Sequence, residues 1–244
     1  MRYSASGRVL PERANVNIER FETDLENSGK ISFQCEASQF ALFFELGEIN
    51  DVNTAHVFAG HWANFVVGAL GFANGCGYGV EVVQIIDENS NAFVFGVQPI
   101  GGQPGEKISL DPLQPIMNRA LSLSLRDLFF RLAIRDYMRA MNDPIDCPTY
   151  CFRAIESVKA SFVFKTGKDR WDDMHKALGT SRDEITTTIK DFADPIRHGS
   201  WPAMRSTDNA LRWKMLILTR DILRRYLDLE IPSDVPQTAE QNAS

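Results

Sequence analysis

Residues 191–201 read DFADPIRHGSW, and the reading of this stretch decides the fold of the second half of the chain. It joins two strongly helical segments. It sets an Asp, an Arg and a His around a proline and leaves through a glycine. Pro195 has no backbone N–H and disfavours helix at the residue before it. The entering helix is therefore predicted to end or kink at about Ala193. Asp194 can then cap a short turn over 195–198, which puts Arg197 and His198 in a tight bend. Gly199 permits a positive φ at the exit.

Outward from this bend the pattern is helical on both sides. Upstream, Ser181 and Glu184 have the spacing of a capping box, and the helix they start carries Ile185, Ile189 and Phe192 inward. Downstream, Leu211, Met215, Leu218, Ile222, Tyr226 and Leu229 repeat at helical spacing. The outer side of that last helix holds Arg212, Lys214, Arg220, Arg224 and Arg225. Such a face can contact phosphate or stand solvated, paired with Asp221, Asp228 and Glu230. Asp111-Pro112 opens the first helix of this half, a cap residue followed by proline at the first position. It is predicted to run to about Asn142. Leu121, Leu125, Leu128 and Leu132 form one of its stripes, and Phe130, Ile134, Tyr137 and Met141 a second. Two apolar faces imply contact on two sides, as in the middle of a bundle. Asp143-Pro144 repeats the signal. A helix over 148–164 follows, with Phe152, Ile155, Val158 and Phe162 as its core, then a short one over 169–178 closed by Gly179. Residues 111–230 thus read as an all-α bundle of four to five helices. Residues 231–244 are polar and are predicted to be disordered.

The first hundred residues have a different period. Residues 15–18 and 31–36 alternate apolar and polar positions, and 40–46 (FALFFEL) is a continuous apolar run suited to a central strand. Residues 26–30 (ENSGK) carry a turn signal, and Pro11 places the first strand at an edge or ends it. Residues 51–74 switch to helical spacing, with Gly60, Asn64 and Gly68 as a small-residue row able to approach a sheet. His56 and His61 are five apart, and so diverge on a helix and do not form a zinc pair. Residues 74–78 (NGCGY) read as a helix cap and not a phosphate loop, since the G-x-G-x-x-G spacing is missing. Residues 79–86 and 92–97 form a hairpin around 87–91 (DENSN). The fold class is α+β: over 1–100 a small antiparallel sheet with one packed helix, then the helical bundle. Residues 98–109, rich in Pro and Gly, make the linker.

The totals narrow the function. The 244 residues are 44% hydrophobic, enough for a buried core. The net charge is −6 and the pI ≈ 5.3, which argues against a generally basic nucleic-acid-coating surface but allows a local basic patch. No signal peptide and no membrane-spanning run is visible, so the expected location is cytoplasmic. The four cysteines are then reduced thiols. Cys147 and Cys151 are half of a metal geometry without a completing pair, so they read as packing residues; no metal and no cofactor is expected.

A bundle of about four helices with a short polar motif ending in His-Gly before the final helix resembles the HEPN superfamily. The resemblance covers 111–229 at most, with His198 and Gly199 at the motif's end. It implies a dimer that binds RNA or nucleotide, and, where active, metal-independent RNA cleavage by a His with an Arg stabilising phosphate charge. The family's Arg stands four to six residues before its His. Here 192–194 are Phe, Ala and Asp, and the arginine is Arg197, next to His198. The family spacing occurs instead at Arg170 and His175. The expectation is a HEPN-like protein that binds RNA or nucleotide and is non-catalytic or weakly ribonucleolytic, in stress or phage defence. Arg197 and His198 are its candidate catalytic pair, and Asp194, Gly199, Arg220 and Arg224 its candidate ligand contacts. Two other readings stand beside it. In one, Arg197 and Asp194 form a buried ion pair that fixes the bend, and His198 caps the helix. In the other, the chain is a protein-interaction module without chemistry, docking through its two-faced helix and through Trp171 and Trp201.

Overall fold

The computed structural model describes residues 1–25, 29–45, 47, 51–94, 113–167, 171–200 and 207–232. The chain divides into two compact units, Met1–Gln98 and Pro99–Ser244. The architecture is α+β, as the two periodicities require.

In the first unit six strands make one antiparallel sheet: β1 (Arg2–Leu10), β2 (Ile18–Leu25), β3 (Gly29–Glu36), β4 (Gln39–Glu45), β5 (Gly79–Asp87) and β6 (Ala92–Val94). Their spatial order is β2-β3-β4-β1-β5-β6. The FALFFEL run is an interior strand, as its continuous hydrophobicity suggests. β1 is interior too, between β4 and β5, so Pro11 ends the strand without placing it at an edge. The strand predicted over 15–18 starts only at Ile18; Asn15 is left-handed at φ 49 and turns the chain.

One long helix, α1 (Val52–Asn74), covers the inner face of the sheet. Asp51 caps its start by accepting from Thr54 N–H at 2.9 Å, and Gly75 ends it at φ 65. The small-residue row that faces the strands is Ala55, Ala59, Ala63, Val67 and Gly71. The predicted row of Gly60, Asn64 and Gly68 lies one position out of phase: Asn64 and Gly68 are exposed. Both rows satisfy a four-residue spacing, and only burial tells them apart. A Cβ on Gly71 would stand 2.5 Å from the Cys76 carbonyl oxygen, so the chain folds back over the helix end at that glycine. The predicted hairpin is β5 and β6, with Asp87 bonding Asn89 and Asn91 across the turn.

The second unit holds α2 (Leu113–Arg126), α3 (Leu128–Asn142), α4 (Cys147–Thr166), α5 (Trp171–Leu178), α6 (Arg182–Ile185), a π turn (Thr186–Lys190), α7 (Asp191–Arg197) and α8 (Asn209–Glu230). Their core includes Phe130, Tyr137, Phe152, Ile155, Val158, Met174, Ile189, Met215, Ile222 and Tyr226. The helix predicted from 111 to 142 is two helices. Asp127 breaks it, because its carboxylate accepts from Phe129 and Phe130 N–H at 2.8 and 3.1 Å and starts α3 afresh. The apolar stripes differ as well. Phe130 and Tyr137 are buried, whereas Leu121, Leu125 and Leu128 are exposed and make no second core contact. The forward half of the capping box is present: Ser181 accepts from Glu184 N–H at 3.3 Å.

Tyr226 ties the helices together. Its hydroxyl donates to Asp127 Oδ2 at 2.5 Å, lies 2.5 Å from Ser161 Oγ, and accepts from Lys165 Nζ at 3.3 Å. Burial, then the bond to Asp127, pushes this phenol well above its ordinary range. Among the described residues no helix is long and apolar enough to cross a membrane. The linker over 98–109, the turn residues 26–28, Trp201 and most of the tail lie outside the described residues.

Candidate functional site

The DFADPIRHGSW stretch does not break where its proline suggests. The helix continues through Pro195 to Arg197. One turn upstream, Asp191 N–H bonds back five residues to Thr186 O in the π turn, so the ladder widens just before the turn in which proline removes a donor. The helix ends instead at His198. Ser200 N–H bonds Pro195 O at 2.8 Å and Gly199 N–H bonds Ile196 O at 3.2 Å, with Gly199 at φ 67. This is a Schellman closure, which needs glycine at that place.

The closure fixes the candidate side chains. Asp194 is inside the helix and caps nothing; its carboxylate takes Lys190 Nζ and, at 3.5 Å, Arg197 Nη1. Arg197 reaches across to α4. Its guanidinium pairs with Glu156 at 3.2 Å and stacks 4.9 Å over the Phe152 ring. The expected Asp194–Arg197 pair therefore forms, but it is partly exposed and Glu156 completes it. Two carboxylates and an aromatic face occupy the arginine. His198 is the capping residue through its backbone, N–H to Asp194 O at 3.0 Å, and its exposed ring has no hydrogen-bond partner among the described residues. The pair is thus split: one member is locked against α4, the other stands in solvent.

The other sequence candidates scatter. Arg220 lies near the Tyr137 phenol, which burial pushes far up while the arginine's charge pulls it down. Arg224 is half-buried on α8. Arg225 caps α5, donating to Leu178 O at 3.1 Å and Gly179 O at 2.8 Å. Two acids of α8 pair between helices: Asp228 with Arg119 of α2, Glu230 with Lys165 of α4. His175 bonds Thr180 Oγ1 at 2.8 Å and stacks on Trp171, and burial lowers its pKa; Arg170 lies outside the described residues. Trp171 itself is half-buried and stacks on Phe152, so one face of its ring is used in packing. Cys147 and Cys151 are buried with their sulfurs 3.9 Å apart. Among the described residues no group of three or more His, Cys, Asp or Glu could hold a metal ion.

Sequence reasoning missed one concentration of charge among the described residues. Asp136 of α3 is 2% exposed. Arg153 of α4 reaches it at 3.2 Å, Arg135 at 3.4 Å and Arg139 at 3.9 Å. Arg139 and Arg153 also stand 5.9 and 5.6 Å from the Tyr150 ring. Arg131, Arg135 and Arg139 are four apart, a signal that was legible but overshadowed by the apolar stripes between them. The overall charge also hid it. Of 26 basic and 32 acidic residues, 5 and 12 precede Pro99, which leaves 21 and 20 in the helical unit. The acidity of the chain belongs to its first unit.

Residues 3–95 match the family model described as the N-terminal domain of DUF8168, a domain of unknown function, and residues 115–231 match its C-terminal domain. The two matches together span most of the chain. The chain belongs to the DUF8168 family. The DUF8168 description assigns no activity, and the division between its two domains falls where the two compact units meet. No curated protein and no solved structure matches the chain.

Proposed function

We propose that this DUF8168 protein is a non-catalytic RNA-binding protein, HEPN-like in its helical unit, that holds the RNA through its phosphates. One observation supports the reading most. Over residues 113–142 there are five arginines and two aspartates, and both aspartates are turned inward: Asp127 caps α3 and accepts from Tyr226, and Asp136 is buried. The outward charge of this segment is therefore positive, the condition for phosphate attraction. The non-catalytic part rests on the corner, where Glu156, Asp194 and Phe152 occupy Arg197. The test is to incubate wild type and His198→Ala with a fluorescent single-stranded RNA, following binding and cleavage together. Retention without cleavage by both proteins is expected. Cleavage by wild type that His198→Ala abolishes overturns the non-catalytic reading, and no retention overturns RNA binding.

A second reading, a homodimeric interaction module, is favoured by the exposed run Met117, Leu121, Leu125 and Leu128. Met117, Leu121 and Leu125 repeat at helical spacing on α2, the pattern with which a second copy's helix interlocks, and Leu128 adjoins them at the start of α3. A monomer mass in light scattering at every concentration removes it.

A further inference from the structure

Resting on the RNA-binding reading, we infer that the phosphates are taken by the arginines gathered around Asp136 on α3 and α4 (Arg135, Arg139 and Arg153, extended by Arg131), and not by the DFADPIRHGSW corner or α8. The argument begins with Asp136. A single carboxylate offers about four lone-pair sites, while three guanidinia bring about fifteen N–H donors. Most donors are therefore left over. They stand outward, since the arginine side chains are 49%, 51% and 39% exposed while the Asp136 side chain is 3% exposed. The aspartate is spent inside the unit, and the cluster keeps a net charge of about +2 at its surface. An oxyanion bridging the guanidinia relieves their mutual repulsion and uses the fork geometry that suits phosphate.

The cluster is also held before any ligand arrives. Asp136 anchors the guanidinium ends. The Tyr150 ring supports two of them, Arg139 and Arg153. Arginines already confined lose less side-chain freedom on binding. Arg131 is exposed and has no side-chain partner among the described residues. It lies one turn before Arg135, about 6 Å along the axis, as Arg135 does from Arg139. A row of contacts along a chain of phosphates follows from that spacing. The corner has the opposite arrangement, one arginine with two carboxylates.

The experiment is fluorescence anisotropy of a labelled single-stranded RNA against the full chain over a range of salt concentrations. The proteins compared are wild type, the double variant Arg135→Gln/Arg139→Gln, the single variant Arg131→Gln, and the charge-matched control Arg2→Gln/Arg20→Gln in the first unit. Each phosphate contact contributes about 0.7 to the slope of log affinity against log salt on a single strand. The double variant is expected to lose about 1.4 from that slope and to bind on the order of ten-fold more weakly at about 0.15 M salt. Arg131→Gln does not touch Asp136 and is expected to lose about half as much, so an effect through misfolding is told apart from loss of contact. The control is expected to keep the wild-type slope. Wild-type binding with unchanged slopes in the α3 variants overturns this site and leaves RNA binding standing. An equal loss in the control reduces the effect to net charge and also overturns the site. A wild type that binds no RNA overturns both.

Discussion

Replacing Arg197 by alanine separates a structural corner from a ligand-contacting one. The change removes two ion pairs, with Glu156 at 3.2 Å and Asp194 at 3.5 Å, and a guanidinium stacked over Phe152 at 4.9 Å. All three side chains of the ion pairs are partly exposed, at 26%, 36% and 29%, so each pair contributes about 0.2–1 kcal/mol. The stacking adds about 0.5–1 kcal/mol. Alanine's better helix propensity returns a few tenths, roughly 0.2 kcal/mol. The net loss is about 0.7–2.8 kcal/mol, a fall in Tm of roughly 1–11 °C for a chain of this size. Arg197→Lys keeps a charge but loses the flat fork, so it is expected to fall between the two. The assay is urea unfolding followed by circular dichroism, with RNA anisotropy on the same preparations. The expected result is reduced stability with RNA affinity unchanged. Full stability with RNA binding lost refutes the reasoning, because Arg197 would then serve the ligand and not the α4–α7 contact.

Two further outcomes follow from the packing of the helical unit. Tyr226→Phe deletes the hydroxyl that donates to Asp127 and meets Ser161 and Lys165, and is expected to destabilise by about 1.5–3 kcal/mol in urea unfolding; a loss under about 0.5 kcal/mol rejects the network as the tie between α3, α4 and α8. His175 has its pKa lowered by burial, so the folded chain favours the neutral imidazole. Its contribution is then fully present above the unfolded pKa of about 6.5 and is lost as pH falls through the lower folded value. Tm measured from about pH 7.5 down to 5.5 is expected to fall less in His175→Gln than in wild type, and parallel curves refute the assignment.

Much of the fold could be read because it rests on local signals. The cap at Ser181, the glycines after α1 and α5, and the change of period at residue 51 each fix an element without knowledge of its neighbours. The errors came where two residues compete for one role. A four-residue row of small residues exists twice on α1, and only the sheet selects Ala55 to Gly71. Asp127 lies inside an apolar pattern that continues across it, yet its short carboxylate restarts the helix. Pro195 carried a local preference that the helix overrides, running on to Arg197. The site was less legible still. Arg197 and His198 are neighbours in sequence, but their side chains part: one crosses to α4, the other faces solvent. Asp136 is not legible as a site because its partners come from two helices, and Arg153 lies 17 positions away along the chain. A chain-wide charge of −6 concealed a helical unit with 21 basic and 20 acidic residues.

The central claim is a location, and ultraviolet cross-linking of bound single-stranded RNA, read by mass spectrometry of the digested protein, tests it most directly. The account predicts cross-links on peptides from residues 128–153, with Tyr150 and the arginines of α3 as the attached or adjoining residues. Cross-links confined to residues 191–200 contradict it and return the binding site to the corner.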